Sequence, residues 1–146
     1  MENTMADAFR AGQQHSVEEQ TAQVAAALAD LEARGFNKVE GPIMQLAQTR
    51  SKPGRRDDLL RVLKNFQAHV QREDSTLFFG FFPDLEDPDL VHSVQVYENW
   101  EGLRHHMVQH HYFQYLDAIL EASDPGEITY HYASNLFMHR GKGRKT

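Results

Sequence analysis

Breaker residues cut this sequence into short patterned segments, and their spacing leaves few folds open. Pro42 and the Lys52-Pro53-Gly54 turn bracket a run in which Met44 and Leu46 alternate with Gln45 and Ala47, the two-residue period of a strand. Leu59, Leu60, Leu63, Phe66 and Val70 follow at helical spacing, with charge on the other side. The aromatic run "STLFFGFFPDL" reads as a second strand that stops at Pro83-Asp84, with Gly80 a bulge or a point of close packing. After "EDPD", Val94 and Val96 alternate with Ser93 and Gln95 in a third strand. The next stretch reads as helix to about Ala122, where "SDPGE" breaks it. Last comes a long alternating strand from Ile128 to His139, with Ile128, Tyr130, Tyr132, Leu136 and Met138 on one parity.

The order β-α-β-β-α-β predicts an α+β, ferredoxin-like domain: a four-stranded antiparallel sheet with two helices on one face. The other face stays open, and an apolar sheet face on so small a chain is expected to find a partner, most simply a second copy in a homodimer. Ahead of this unit, Ser16 opens "SVEE", a capping-box pattern with Glu19. The helix behind it carries Val24, Leu28 and Leu31 on one face and stops at Gly35. The expected division is an N-terminal helical extension over 1–40, the ferredoxin-like domain over 41–140 and a basic tail over 141–146.

Composition narrows the function classes. At 146 residues and 40% hydrophobic content, one domain with a real core is feasible without staples. Acidic side chains outnumber basic ones 21 to 15, which argues against a nucleic-acid partner; the basic run "HRGKGRKT" is short, terminal and broken by glycine. With no cysteine there is no disulfide, thiolate nucleophile or Cys-type zinc site. The first residues resemble no signal peptide and no run of about 18 apolar residues occurs, so the expectation is a cytoplasmic protein with no membrane partner.

The chemistry is concentrated in "VYENWEGLRHHMVQHHYFQYL". It holds the only tryptophan, Trp100, and four of the nine histidines: His105, His106, His110 and His111. His106 and His110 have the i, i+4 spacing of a two-imidazole metal site, but zinc needs further ligands. His131 or Glu98 is not required by spacing to supply one, so no metal is assigned. On a continuous helix the apolar arc holds Val108, Tyr112, Leu116, Ile119 and Leu120; His105 falls inside it, His106 at its edge, and His110 and His111 outside. Glu98 and Trp100 share strand parity with Val94 and Val96, so Glu98 is read as a carboxylate needing a partner and Trp100 as packing or a pocket wall. His131, opposite in parity to Tyr130 and Tyr132, is a weaker polar candidate.

In order, the strand leading into "KPG", the helix ending in "REDS", "LFFGFF", the "DPD" turn, "VYENW" and a closing His106-Met107…His111-Tyr112 pattern resemble the antibiotic biosynthesis monooxygenase family of dimeric α/β barrels. The resemblance spans about Ile43 to Leu120 plus the final strand. It implies a small, mostly cofactor-independent oxygenase acting on quinols, anthrones or polyketide-like aromatics with dioxygen, or a relative of the haem-degrading branch. A phenol or quinol reacts faster with dioxygen once deprotonated, and a histidine titrating near neutrality is the natural base. The resulting assignment has His106 as proton acceptor, Trp100 as wall, and Asn99 and His111 as polar helpers. Tyr112, Glu98, His105 and His131 then contact a small aromatic ligand. A non-catalytic dimeric ligand-binding or stress-response module is the alternative.

Overall fold

The computed structural model describes residues 16–136, 138, 139 and 141, except for the side chains of His110, His111, Phe113 and Pro125. Helix α1 (Val17–Ala33) is followed by a 3-10 turn at Phe36–Lys38, strand β1 (Ile43–Arg50), helix α2 (Arg56–Val70) and strands β2 (Thr76–Pro83) and β3 (Leu90–Tyr97). Helices α3 (Trp100–Met107) and α4 (His110–Ala122) then lead through a 3-10 turn at Pro125–Glu127 to strand β4 (Thr129–Ser134). The four strands form one antiparallel sheet in the order β2-β3-β1-β4, the ferredoxin-like arrangement that the breaker pattern predicts.

Local chemistry sets the boundaries. Ser16 Oγ accepts the Glu19 amide at 3.1 Å and donates to the Glu19 carboxylate at 3.2 Å, a capped start for α1. Gly35, at φ +87°, ends that helix in the left-handed region that glycine enters without strain. Val24, Ala27, Leu28 and Leu31 of α1 join the same core as Leu59, Leu63, Phe66 and Val70 of α2. Gln20 Nε2 donates to Asp117 Oδ2 at 2.8 Å, which ties α1 to α4. The added N-terminal helix is thus part of the packed domain.

Three expectations are corrected. The continuous helix through the histidine cluster does not form: the chain breaks at Val108-Gln109, near where the family resemblance suggests a break, and restarts as α4, resetting the helical phase. The last strand stops at Ser134, and Leu136 and Met138 are exposed. The faces of the sheet are also exchanged relative to the reading that put Val94, Val96, Glu98 and Trp100 inward together. Against the helices lie Ile43, Gln45 and Ala47 of β1 and Val91, Ser93, Gln95 and Tyr97 of β3. Cross-strand pairs Gln45↔Gln95 and Ala47↔Ser93 align this polar stripe at the sheet centre.

The opposite face carries Met44, Leu46, Val94, Val96, Phe78 and Phe82. Phe78 and Phe82 on the edge strand β2 are 48 and 47% exposed and Leu46 on the central strand β1 is 39% exposed, large values for apolar side chains on a sheet face. The Phe78 and Phe82 rings stack at 6.3 Å, nearly parallel, across Gly80. A Cβ on Gly80 would meet the Phe82 ring at 2.8 Å, so glycine is what allows the pair to close over the strand.

Candidate functional site

His106 sits in the last turn of α3 with its side chain 2% exposed, although both neighbouring positions in the histidine pattern suggest a solvated helix. Phase explains it: Leu103, His106 and Met107 form the buried face of this short helix, while Arg104 and His105 point outward. The imidazole lies in an aromatic cage, with ring centroids of Tyr97, Tyr112, Phe79 and Phe66 at 5.1, 5.2, 5.6 and 5.8 Å. Its Nδ1 is 2.8 Å from Oε2 of Glu73, whose side chain is 5% exposed. Thr76 Oγ1 donates to the same carboxylate oxygen at 3.0 Å. Glu73 follows the end of α2, where its amide bonds the Val70 carbonyl at 2.9 Å, so the loop places the carboxylate under α3.

Because a carboxylate can only accept, Nδ1 is the donor nitrogen, and in the neutral ring Nε2 carries the lone pair. When a proton arrives, the imidazolium faces an anion inside a low-dielectric cage, where such a pair is mutually supporting.

His106 lines a cavity of ≈ 40 Å³ between sheet and helices. Leu63, Phe66, Phe81, Leu116 and Ile119 make it apolar. Gln45, Ser93, Gln95, Tyr112 and Tyr130 bring hydrogen-bonding groups to it. Gln45 Nε2 donates to the Tyr132 hydroxyl at 2.9 Å and Gln95 Nε2 to Ser93 Oγ at 2.9 Å, while the Tyr97 hydroxyl donates to Gln95 Oε1. Burial pushes the Tyr97, Tyr112 and Tyr130 phenols well above their ordinary value, and that of Tyr132 up to about 12. These hydroxyls stay protonated at any working pH, so they can donate hydrogen bonds but cannot act as bases.

The other candidates from the sequence scatter. Tyr112 is buried beside His106 on the cavity wall. Trp100 is buried in the core at the start of α3 and does not line the cavity. Asn99 is exposed, and its Oδ1 accepts the Gly102 amide at 2.9 Å as the N-cap of α3. Glu98, the carboxylate expected to be inward, is exposed just beyond β3. His131 pairs with Leu46 on the open face of the sheet. His105 is exposed near Gln109, and the His110 and His111 side chains lie outside the described residues. Among the described residues no group of three His, Asp or Glu side chains could hold a metal ion, and no helix is long and apolar enough to cross a membrane.

Sequence reasoning missed Glu73, and with it the polar stripe Gln45-Ser93-Gln95. The stripe had a signal: one parity of the two central strands holds Gln45, Ser93 and Gln95 among Ile43, Ala47, Val91 and Tyr97, while Met44, Leu46, Val94 and Val96 share the other. Glu73 had only the acidic "REDS" run to mark it, with Asp74 an equal claimant.

A sequence model described as antibiotic biosynthesis monooxygenase matches residues 42–118. Among solved structures, a Caulobacter crescentus protein proposed to be an antibiotic biosynthesis monooxygenase superposes with a TM-score of 0.65 at 16% identity, over 71% of this chain and 99% of that one. A Bacteroides thetaiotaomicron protein described as a possible oxidoreductase gives 0.61 at 18% identity, over 65% and 98%. A variant of SnoaB, a cofactor-independent oxygenase from Streptomyces nogalater, gives 0.59 at 9% identity, over 66% and 95%. No curated protein sequence matches the chain.

Proposed function

The chain belongs to the antibiotic biosynthesis monooxygenase family, and on that premise we propose that it oxygenates a small aromatic, quinol or polyketide-like substrate with dioxygen, His106 taking the substrate proton. The observation that carries this reading is the buried His106–Glu73 pair on the wall of an aromatic cavity. Nε2 of His106 accepts the proton, Glu73 holds the imidazolium that forms, and the protonated phenols of Tyr112 and Tyr130 donate to the developing oxyanion. The substrate anion then reduces dioxygen. A methylene becomes a carbonyl with one oxygen atom, and the two hydrogens leave with the other as water. No cofactor enters this scheme, in keeping with the description of SnoaB as cofactor-independent.

A cavity of ≈ 40 Å³ holds a few waters, whereas a benzene ring occupies a cavity of about 150 Å³. Substrate binding therefore requires the rings around His106 to move apart. The same small volume favours the second reading, a non-catalytic dimeric module whose pocket is packed shut. Haem, the third possibility, is a far larger plane than the cavity at His106 admits. In either of the first two readings a second copy of the chain covers the open apolar face of the sheet.

Dioxygen uptake by chelator-treated protein, against hydroquinones, anthrones and naphthols near neutral pH, separates them. Uptake above the buffer rate is expected, and His106→Ala should lose on the order of 10²–10⁴ in rate if that base is essential. An unchanged rate in the variant would remove His106 from the chemistry. No uptake with any substrate would favour the binding module.

A further inference from the structure

Glu73 faces two spaces. On one side it holds His106, which lines the inner cavity. On the other it lines a separate outer cleft of ≈ 330 Å³, together with His69, Arg72, Asp74, Ser75, His105 and Gln109. The inner cavity is aromatic and about an eighth of that volume; the outer cleft is polar and rimmed by exposed titratable side chains. The His106–Glu73 pair is thus a wall between an apolar chamber and a wet groove.

We propose that Glu73 is the port through which His106 exchanges its proton with water, passing it between Nδ1 and the outer cleft, with His69 and His105 as acceptors at the rim. The inference rests on the reading of His106 as a proton acceptor. The substrate proton, taken at Nε2, makes the ring an imidazolium whose Nδ1 proton faces Glu73. Once a flat apolar ligand fills the inner cavity, water no longer reaches the ring from that side. The imidazolium so formed can then exchange a proton with water only through Nδ1. The Nδ1 proton passes to Oε2 of Glu73, giving a carboxylic acid and a neutral ring. The acid gives that proton to a rim histidine, which passes it to water, and returns to carboxylate. The ring is left with its proton on Nε2. Reversal through the same port returns a proton to Nδ1, and Nε2 gives its own to the peroxide oxygen that leaves as water.

The other titratable groups around the pair fit these roles. Tyr97 of β3 and Tyr112 of α4 face the imidazole, and burial keeps both protonated. Arg72 and Asp74 flank Glu73 on the α2–β2 loop; His69 comes from α2 and His105 from α3. His69 Nδ1 lies 3.1 Å from the Asn65 carbonyl and 3.2 Å from the Tyr115 hydroxyl, and Gln109 Nε2 donates to His105 Nε2 at 3.0 Å, so both rings are held at the cleft.

The test reads the proton itself, on the full chain labelled with 15N-histidine and without substrate or oxygen. Magnetisation transfer gives the rate at which the His106 ring proton exchanges with water. Glu73→Gln keeps the shape but cannot accept and pass a proton; it should slow exchange by at least about tenfold. His69→Ala combined with His105→Ala alters only exposed side chains, so it remains decisive if Glu73→Gln does not fold. The double variant should slow exchange, and added imidazole should restore it. Exchange at the wild-type rate in the double variant without imidazole, or in a folded Glu73→Gln protein, would overturn the port and place the route through the inner cavity. Because no turnover is measured, this outcome is separate from whether the protein is an oxygenase.

Discussion

At the scale of single residues, His106 depends on a partner 33 positions away. Removing it with Glu73→Ala leaves a buried ring donor without its acceptor. Breaking a buried charge pair can cost about 3–5 kcal/mol, but this histidine can remain neutral, so the smaller cost of an unsatisfied polar group, about 1–3 kcal/mol, is expected. Urea denaturation at pH 7 checks it, and a loss below the lower bound would mean that water replaces the carboxylate. A second pair makes an acid-side prediction. Asp84 accepts from His92 Nε2 at 2.7 Å and from the backbone amides of Asp87 and Glu86 at 2.8 and 2.9 Å. These bonds, that from His92 foremost, hold its carboxyl down from 3.8 to about 2. A depressed carboxylate adds stability that is fully present above its unfolded value and is lost as pH falls through the folded one. Asp84→Asn should therefore flatten the fall in stability between about pH 4 and pH 2. Urea midpoints across that range would show it. His106 was legible in the sequence because two independent patterns, the helical wheel and the family resemblance, share it. Glu73 was not, because only the folded loop brings the end of α2 beneath α3.

At the scale of elements, breakers in the sequence announce the four strands and the helices α1 and α2, yet not which way the sheet faces. Period-two alternation names two faces; only the helices decide which is covered. Here β1 and β3 turn their amides and serine toward the helices, the reverse of what an aliphatic-in rule suggests, because the aliphatic parity faces away from them. The break between α3 and α4 is likewise invisible to a wheel drawn through Val108. It matters because α3, only eight residues long, fixes the azimuth of His106. A helix that short depends on its cap, which Asn99 supplies through the Gly102 amide. Asn99→Ala should cost about 1 kcal/mol, and Asn99→Ser, which can make the same bond, only a few tenths. Thermal melts measure the first difference. Oxygen uptake measures the second: near-normal turnover in the serine variant means a cap, whereas loss in a stable serine variant would give Asn99 a direct role on the substrate.

At the scale of the molecule, one sheet face packs against the helices and, among the described residues, the other is bare. Met44, Leu46, Val94 and Val96 lie at its centre and the stacked Phe78 and Phe82 rings at one side. Among the described residues, none of the helices lies on this face. Two such faces related by a twofold axis would pack as aligned sheets, burying the aromatic pair of each copy against its partner. Leu46 sits on the central strand β1, between Val94 on one side and His131 on the other. A charge there cannot reach water past neighbouring strands once the face is covered, and an unpaired buried charge is costly. Leu46→Lys should therefore weaken self-association by at least about tenfold, equivalent to roughly 1.4 kcal/mol, while leaving the monomer folded because the position is already open to solvent. Sedimentation equilibrium at several loading concentrations reads this. The expected result is a dimer for the parent chain and a shift toward monomer for the variant. A parent chain that stays monomeric throughout would mean that something other than a second copy covers this face. A variant as dimeric as its parent would move the interface elsewhere.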